Sequence, residues 1–265
     1  MCKPIFIFSS GWRSGSTLLQ RTIIASGKAL IWGESGGALH CVADAVKRYE
    51  QMLGPGKIRY EYGFGGNGAE EFKQFEESGK EGVHKWIACM NPHEEIIVAA
   101  FKKLFENIYA EPALKLGYAR WGVKEVVAGI DTALLLKRLY PEAKFIFLVR
   151  NPYACLLSIK RRNWMDQKGE KDPLGFYANH WKTLATQFRK AGFGFYIRYE
   201  DLILKHDTLQ SLMSYLEVEN IQEDFILRSR VDWAAENEDD LSWLEKLRVS
   251  NLLGDETAAH GYSAI

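Results

Sequence analysis

Several common chemistries have no signature in this sequence. Its four cysteines, Cys2, Cys41, Cys89 and Cys155, are scattered and form no CxxC pair. That gives a zinc site little support and fits reduced thiols in a cytoplasmic protein. The six histidines, His40, His84, His93, His180, His206 and His260, are also dispersed. With no HExxH and no tight His/Asp cluster, no metal is expected. Met1-Cys2-Lys3-Pro4 runs directly into a short apolar segment, with no charged leader before a long apolar stretch. Neither a secretory signal nor membrane insertion is therefore expected. Charge of one sign is missing too, since 34 basic residues balance 34 acidic ones. That excludes a general nucleic-acid binder, whose affinity comes from a basic surface. There is no internal repeat and no low-complexity tract. What remains is an ordinary globular composition, 47% apolar and 26% charged over 265 residues. The chain is long enough to bury a real core, and a single domain over 1–265 is the simplest count. Nothing in the composition speaks to oligomeric state.

The most informative stretch is residues 5–22. Ile5 to Phe8 is a wholly apolar run of strand formers, as in a strand buried on both faces. Gly11 and Gly15 bracket a polar turn. From Ser16 the apolar positions Leu18, Leu19, Ile23 and Ile24 recur at helical spacing. Strand, glycine turn and helix N-terminus together make a phosphate cradle, with free backbone N–H groups and the positive helix end facing the anion. The loop is not the nucleoside-triphosphate pattern GxxxxGK[ST]: Gly11-Trp12-Arg13-Ser14-Gly15-Ser16-Thr17 has arginine in mid-loop and serine where lysine should stand.

Strand and helix patterns alternate along the rest of the chain, which predicts a doubly wound, mostly parallel sheet flanked by helices. Ala29 to Trp32 reads as a second strand, ending at Gly33-Glu34-Ser35-Gly36-Gly37. In parallel sheets ligands sit beyond the carboxyl ends of the strands, which is where Glu34 falls. Residues 38–53 read as helix, 54–68 as a mobile loop or lid, and 69–110 as mostly helical. Residues 54–115 as a whole read as a helical cap that binds an acceptor. Tyr118 to Val123 reads as a strand ending at Lys124-Glu125, followed by a helix over 131–140. Lys144 to Val149 is the strongest later strand and ends at Arg150-Asn151-Pro152. The next helix carries Ser158, Lys160, Arg161 and Arg162. An amphipathic helix spans 175–191, and Phe193 to Ile197 reads as a strand followed by Arg198-Tyr199-Glu200-Asp201. Helices are expected over 206–217 and 221–229, with an acidic turn at 236–240 before a last helix.

These pieces resemble the sulfotransferases that use 3'-phosphoadenosine 5'-phosphosulfate (PAPS). Arg13-Ser14-Gly15-Ser16-Thr17 is similar to the family's 5'-phosphosulfate loop. Phe147-Leu148-Val149-Arg150-Asn151-Pro152, with Ser158 eight residues after the arginine, is similar to its 3'-phosphate motif, although the family commonly has aspartate at position 151. Arg198-Tyr199-Glu200-Asp201-Leu202 and the closing His260-Gly261-Tyr262 also match. Gly33-Glu34 and Val123-Lys124 look like the base and lysine of the tyrosylprotein branch. The resemblance implies a P-loop-NTPase-like sulfotransferase fold that transfers a sulfuryl group from PAPS to a hydroxyl acceptor (peptide tyrosine, carbohydrate or small molecule), leaving 3'-phosphoadenosine 5'-phosphate (PAP). It implies Glu34 as general base with His40 as runner-up, and Arg13 and Lys124 as the cations that hold developing charge. Donor contacts would come from Arg13, Ser14, Gly15, Ser16, Thr17, Arg150 and Ser158.

The residues support two anion sites on their own terms. Arginine's planar fork suits a terminal phosphate, and Arg162, four residues beyond Ser158, falls on the same helical face and is a candidate third contact to the donor. Tyr199 either contacts the adenine or packs in the core. Trp12, inside the loop, is a candidate for lining an acceptor pocket, ahead of Tyr60, Tyr62, Phe64 and Trp86. Two other readings stay open: a P-loop nucleotide-dependent kinase, and a non-catalytic nucleotide- or carbohydrate-binding module of the same fold. The missing loop lysine counts against the first.

Overall fold

The structure, a computed structural model, describes residues 3–53, 58–59, 65–66, 68–84, 90–165, 169–219 and 241–263. Most of the 54–68 lid, Trp86, the helix expected over 221–229 and the acidic turn at 236–240 lie outside the described residues. The chain divides into two compact units: residues 1–37 together with 109–265, and residues 38–108.

The first unit is built on a five-stranded, all-parallel sheet. Its elements begin with β1 (Ile5–Ser9), α1 (Ser16–Ala25) and β2 (Ala29–Trp32). The second unit then supplies α2 (Ala38–Leu53), the two-residue antiparallel pair β3 (Ile58–Arg59) and β4 (Gly65–Gly66), α3 (Gly68–Ser78), a 3-10 turn over Gly79–His84, and α4 (Glu94–Phe105). The chain returns to the first unit with α5 (Glu111–Lys115), β5 (Arg120–Glu125), α6 (Ile130–Leu139), β6 (Lys144–Val149), α7 (Pro152–Arg161) and α8 (Pro173–Arg189). It closes with β7 (Phe195–Arg198), α9 (Tyr199–Leu204), α10 (His206–Leu216), α11 (Trp243–Leu253) and α12 (Glu256–Ala259).

Strand order is β2-β5-β1-β6-β7. The apolar run of β1 is central because every residue from Ile5 to Ser9 is buried, with β5 on one side and β6 on the other. Helices cover both faces. One core layer joins Ile5, Ile7, Leu19, Ile23, Ile146 and Leu148 to α9 and α10, and another packs α7, α8 and α11 around Tyr153, Trp181 and Leu253. Burial of these side chains, at roughly 1.5–3 kcal/mol each, is the main force holding the sheet to its helices.

Two strands start later than their composition predicts. Tyr118 does not open β5; its N–H bonds Ala113 O across Gly117 at φ 87°, so it belongs to the end of α5. Phe193 does not open β7, because Gly194 at φ 79° breaks the extended backbone between them. Among the described residues no helix is long and apolar enough to cross a membrane, and no cluster of three or more metal-ligating side chains occurs.

Candidate active site

The candidate donor-site residues, Glu34 and Lys124 fall in the first unit, in or after β1, β2, β5, β6 and β7; Tyr60, Tyr62, Phe64 and Trp86 lie outside the described residues. The runner-up base His40 is on α2 in the second unit, where it faces Asp44 at 3.9 Å with about half its side chain exposed.

The loop after β1 is held open by backbone geometry. Gly11 (φ 125°) and Gly15 (φ 87°) take left-handed conformations natural to glycine, and so does Arg13 (φ 64°), which is not. Gly15 is required twice over. A Cβ there would lie 2.2 Å from the ring of Tyr199. Ser14 is fully buried and its Oγ donates to Gly11 O at 2.8 Å, tying the turn to itself. Gly15 caps α1 without any side-chain hydrogen bond. The first-turn amides of this ten-residue helix, including those of Ser16 and Thr17, are therefore not spent on a capping side chain, which is what an anion site requires.

The loop is braced by the segment after β6. Arg13 O accepts from Arg150 Nη1 at 3.0 Å, with Cys155 Sγ at 3.8 Å. In the other direction Arg13 Nε donates to Ser158 Oγ at 3.0 Å, while its guanidinium lies 5.6 Å from the Trp164 ring. Arg150 is 5% exposed, lies 4.5 Å over the Tyr199 ring, and its carbonyl accepts from Trp181 Nε1 at 2.9 Å. Thus Arg13, Arg150 and Ser158 form one linked cluster. Asn151, where an aspartate was expected, caps α7 by accepting from Tyr153 N, and its own N–H donates to Glu200. Tyr262 OH donates to the other oxygen of Glu200 at 2.9 Å, pinning the C-terminal Gly-Tyr to this corner. Burial, with Glu200 beside it, pushes the Tyr262 phenol well up.

The positions of Tyr199 and Arg162 follow from the same elements. Tyr199 is the first residue of α9, is 6% exposed, and lies between Gly15 and Arg150. Arg162 is the C-cap of α7, exposed, and its backbone N–H closes the helix on Ile159 O.

A second cluster sits on β2 and β5. Lys124 Nζ bonds Glu34 Oε1 at 2.5 Å, with side-chain exposures of 6% and 38%. Lys124 is the penultimate residue of β5, not a solvated strand end. Next to it, Glu125 is 1% exposed and bonds both the N–H and hydroxyl of Ser35. Desolvation raises the Glu125 pKa; the Ser35 hydrogen bonds oppose this, Glu34 adds to it, and Lys124 opposes it. Sequence reasoning passed over Glu125, which there was only a strand-end residue. It also passed over His180, whose ring packs at a tilt against Trp12 (centroids 4.6 Å), lies 3.2 Å from where a Gly11 Cβ would be, and bonds Val126 O at 2.9 Å.

A parallel sheet with an uncapped glycine-turn helix after its central strand defines an α/β protein of the phosphate-loop type. The sulfotransferase family profile matches residues 4–223, and the chain belongs to that family. Among solved structures it is similar to the "Sulfotransferase Domain from the Curacin Biosynthetic Pathway", at 19% identity and a TM-score of 0.56 over 100% of this chain and 99% of that one. It is also similar to the "Sulfotransferase Domain from the Synechococcus PCC 7002 Olefin Synthase", at 20% identity and a TM-score of 0.52 over 99% and 97%. Both show the same fold. No curated protein matches the chain.

Proposed function

We propose that this sulfotransferase uses PAPS as donor and a glutamate as general base. The observation that carries the reading is the joining of an uncapped helix N-terminus to a buried arginine cluster. The amides of residues 14–17 suit the 5'-phosphosulfate, and Arg150 with Ser158 suits the 3'-phosphate. Arg13 bridges the two, its backbone in the loop and its guanidinium against Ser158.

In the reaction, the acceptor hydroxyl attacks sulfur while its proton passes to the Glu34 carboxylate. The S–O bond to the 5'-phosphate breaks, and PAP leaves with that electron pair. The buried Lys124 ammonium keeps Glu34 oriented and, with Arg13, offsets charge that develops on the transferring group and the leaving oxygen. As in phosphoryl transfer, positioning and electrostatics do most of the catalysis, and with Arg13 and Lys124 as the cations that stabilise the leaving phosphate and the transferring group the step needs no metal. The protein acts as a cytoplasmic enzyme on a hydroxyl acceptor.

Two measurements test this. Thermal-shift titration should show stabilisation by PAP and none by ATP or GTP; stabilisation by ATP with Mg²⁺ would favour a kinase instead. Glu34→Gln should cut turnover by about two orders of magnitude or more, and near-normal turnover in that variant would remove Glu34 as the base.

A further inference from the structure

Glu125 has no part in the chemistry above, yet it is kept at considerable cost. A carboxylate that is 1% exposed needs all its hydrogen-bonding capacity met. Here Oε1 takes both bonds from Ser35, and Oε2 accepts none from any described residue.

The sheet register shows what the residue does. Strands β2 and β5 run parallel with Trp32 opposite Val123, so the chain leaving β2 continues alongside the end of β5. Successive strand residues point to opposite faces. Lys124 and Glu125 accordingly take hold of two successive loop residues by different routes: Lys124 grips the side chain of Glu34, and Glu125 grips Ser35 through its backbone N–H and its hydroxyl. The loop around them is rich in glycine. Gly36 (φ 65°) and Gly37 (φ 93°) follow in left-handed conformations, and a Cβ on Gly33, Gly36 or Gly37 would meet nothing within 4 Å. A carboxylate on a glycine-rich loop makes a poor base unless something fixes its backbone, because misplacement by about 1 Å can cost about a hundredfold in rate.

We propose that Glu125 is a positioning residue for sulfuryl transfer: by clamping Ser35 to strand β5 it fixes the backbone of Glu34, so that the Lys124 pair presents that carboxylate in one orientation. The proposal rests on the reading of Glu34 as the base, and it is tested so that the two can fail separately.

Full-length wild type, Glu125→Ala, Glu125→Gln, Ser35→Ala and Glu34→Gln are compared in two ways. The first is backbone hydrogen exchange over residues 33–37, which needs no acceptor. Exchange should rise about tenfold in Glu125→Ala and less in Ser35→Ala, which keeps the N–H bond, and should stay near wild type in Glu125→Gln, which keeps an acceptor oxygen. The second is PAP release from PAPS with whichever phenol, sugar or alcohol the wild type turns over best. In Glu125→Ala kcat should fall about ten- to a hundredfold with the KM for PAPS unchanged, and Glu125→Gln should restore most of it. Unchanged exchange in Glu125→Ala overturns the clamp. Raised exchange with full kcat, while Glu34→Gln is inactive, overturns the positioning role and leaves the base reading standing. Full activity in Glu34→Gln sinks the base reading, and the exchange data then still decide the clamp. If Glu125→Ala does not fold, Ser35→Ala and Glu125→Gln carry the same comparison.

Discussion

Replacing Lys124 by methionine separates catalysis from architecture. The ammonium sits on β5 with 6% of its side chain exposed, 2.5 Å from a Glu34 carboxylate that is 38% exposed. Burying a charge costs several kcal/mol even after relaxation, and its partner must offset that. Methionine follows the lysine stem closely in volume, so packing in β5 should change by less than about 1.5 kcal/mol. Removing the cation leaves Glu34 unpaired, but more than a third of that side chain is already in water. The stranded carboxylate is therefore hydrated, and the lost pair is worth about 1 kcal/mol or less. The desolvation of the ammonium disappears at the same time. Stability should thus move by no more than about 1–2 kcal/mol in either direction. The chemistry should suffer far more. Removing one preorganised group aimed at developing charge costs about 10²–10³ in kcat, equivalent to about 2.7–4 kcal/mol. Urea unfolding and single-turnover PAP release on the same preparation of Lys124→Met would measure both quantities. Turnover within about threefold of wild type, a change under about 1 kcal/mol, would refute the role given to Lys124. So would a stability loss above about 3 kcal/mol with activity lost only in proportion to unfolding, which would mark the pair as structural.

Two further outcomes follow from the geometry. Gly15→Ala adds a Cβ at φ 87° and 2.2 Å from the Tyr199 ring, combining a left-handed penalty of about 1–2 kcal/mol with overpacking of about 1–3 kcal/mol. In a double-mutant cycle with Tyr199→Ala by urea unfolding, the overpacking part should appear as a coupling of at least about 1 kcal/mol, whereas simple additivity would show that the ring does not press on the loop. Glu217 is held at a pKa of about 2, first by Lys144 and then by Lys3. A lowered carboxylate pKa gives stability that is present above its ordinary value near 4.5 and lost as pH falls towards 2. Thermal unfolding of Glu217→Gln should therefore lie below wild type at neutral pH and converge with it near pH 2, and a constant offset across that range would contradict the assignment.

The sulfotransferase fold was readable from local pattern alone. Ile5–Phe8 and Lys144–Val149 are apolar runs that can be satisfied only in a sheet covered on both faces, and the glycine turn at 11–15 marks where a helix must begin. The strand starts at Tyr118 and Phe193 were misplaced because a left-handed glycine, Gly117 or Gly194, decides the boundary and composition does not reveal φ. Pattern left Tyr199 open between an adenine contact and the core, and its burial against Gly15 and Arg150 depends on where β7 stops.

Sequence by itself determined the order of the elements, the site candidates at strand ends and the family resemblance, because those depend on residue type and short-range spacing. Tertiary structure alone decided which candidates meet. Arg13 reaches Ser158 and receives Arg150 at its carbonyl because β1 and β6 are neighbours. Glu34 finds Lys124, and Ser35 finds Glu125, because β2 lies against β5 rather than beside β1. The physical reason is that strand order in a parallel sheet is set by how the crossover helices pack, and contacts between residues far apart in the chain follow from that order, which no local spacing encodes.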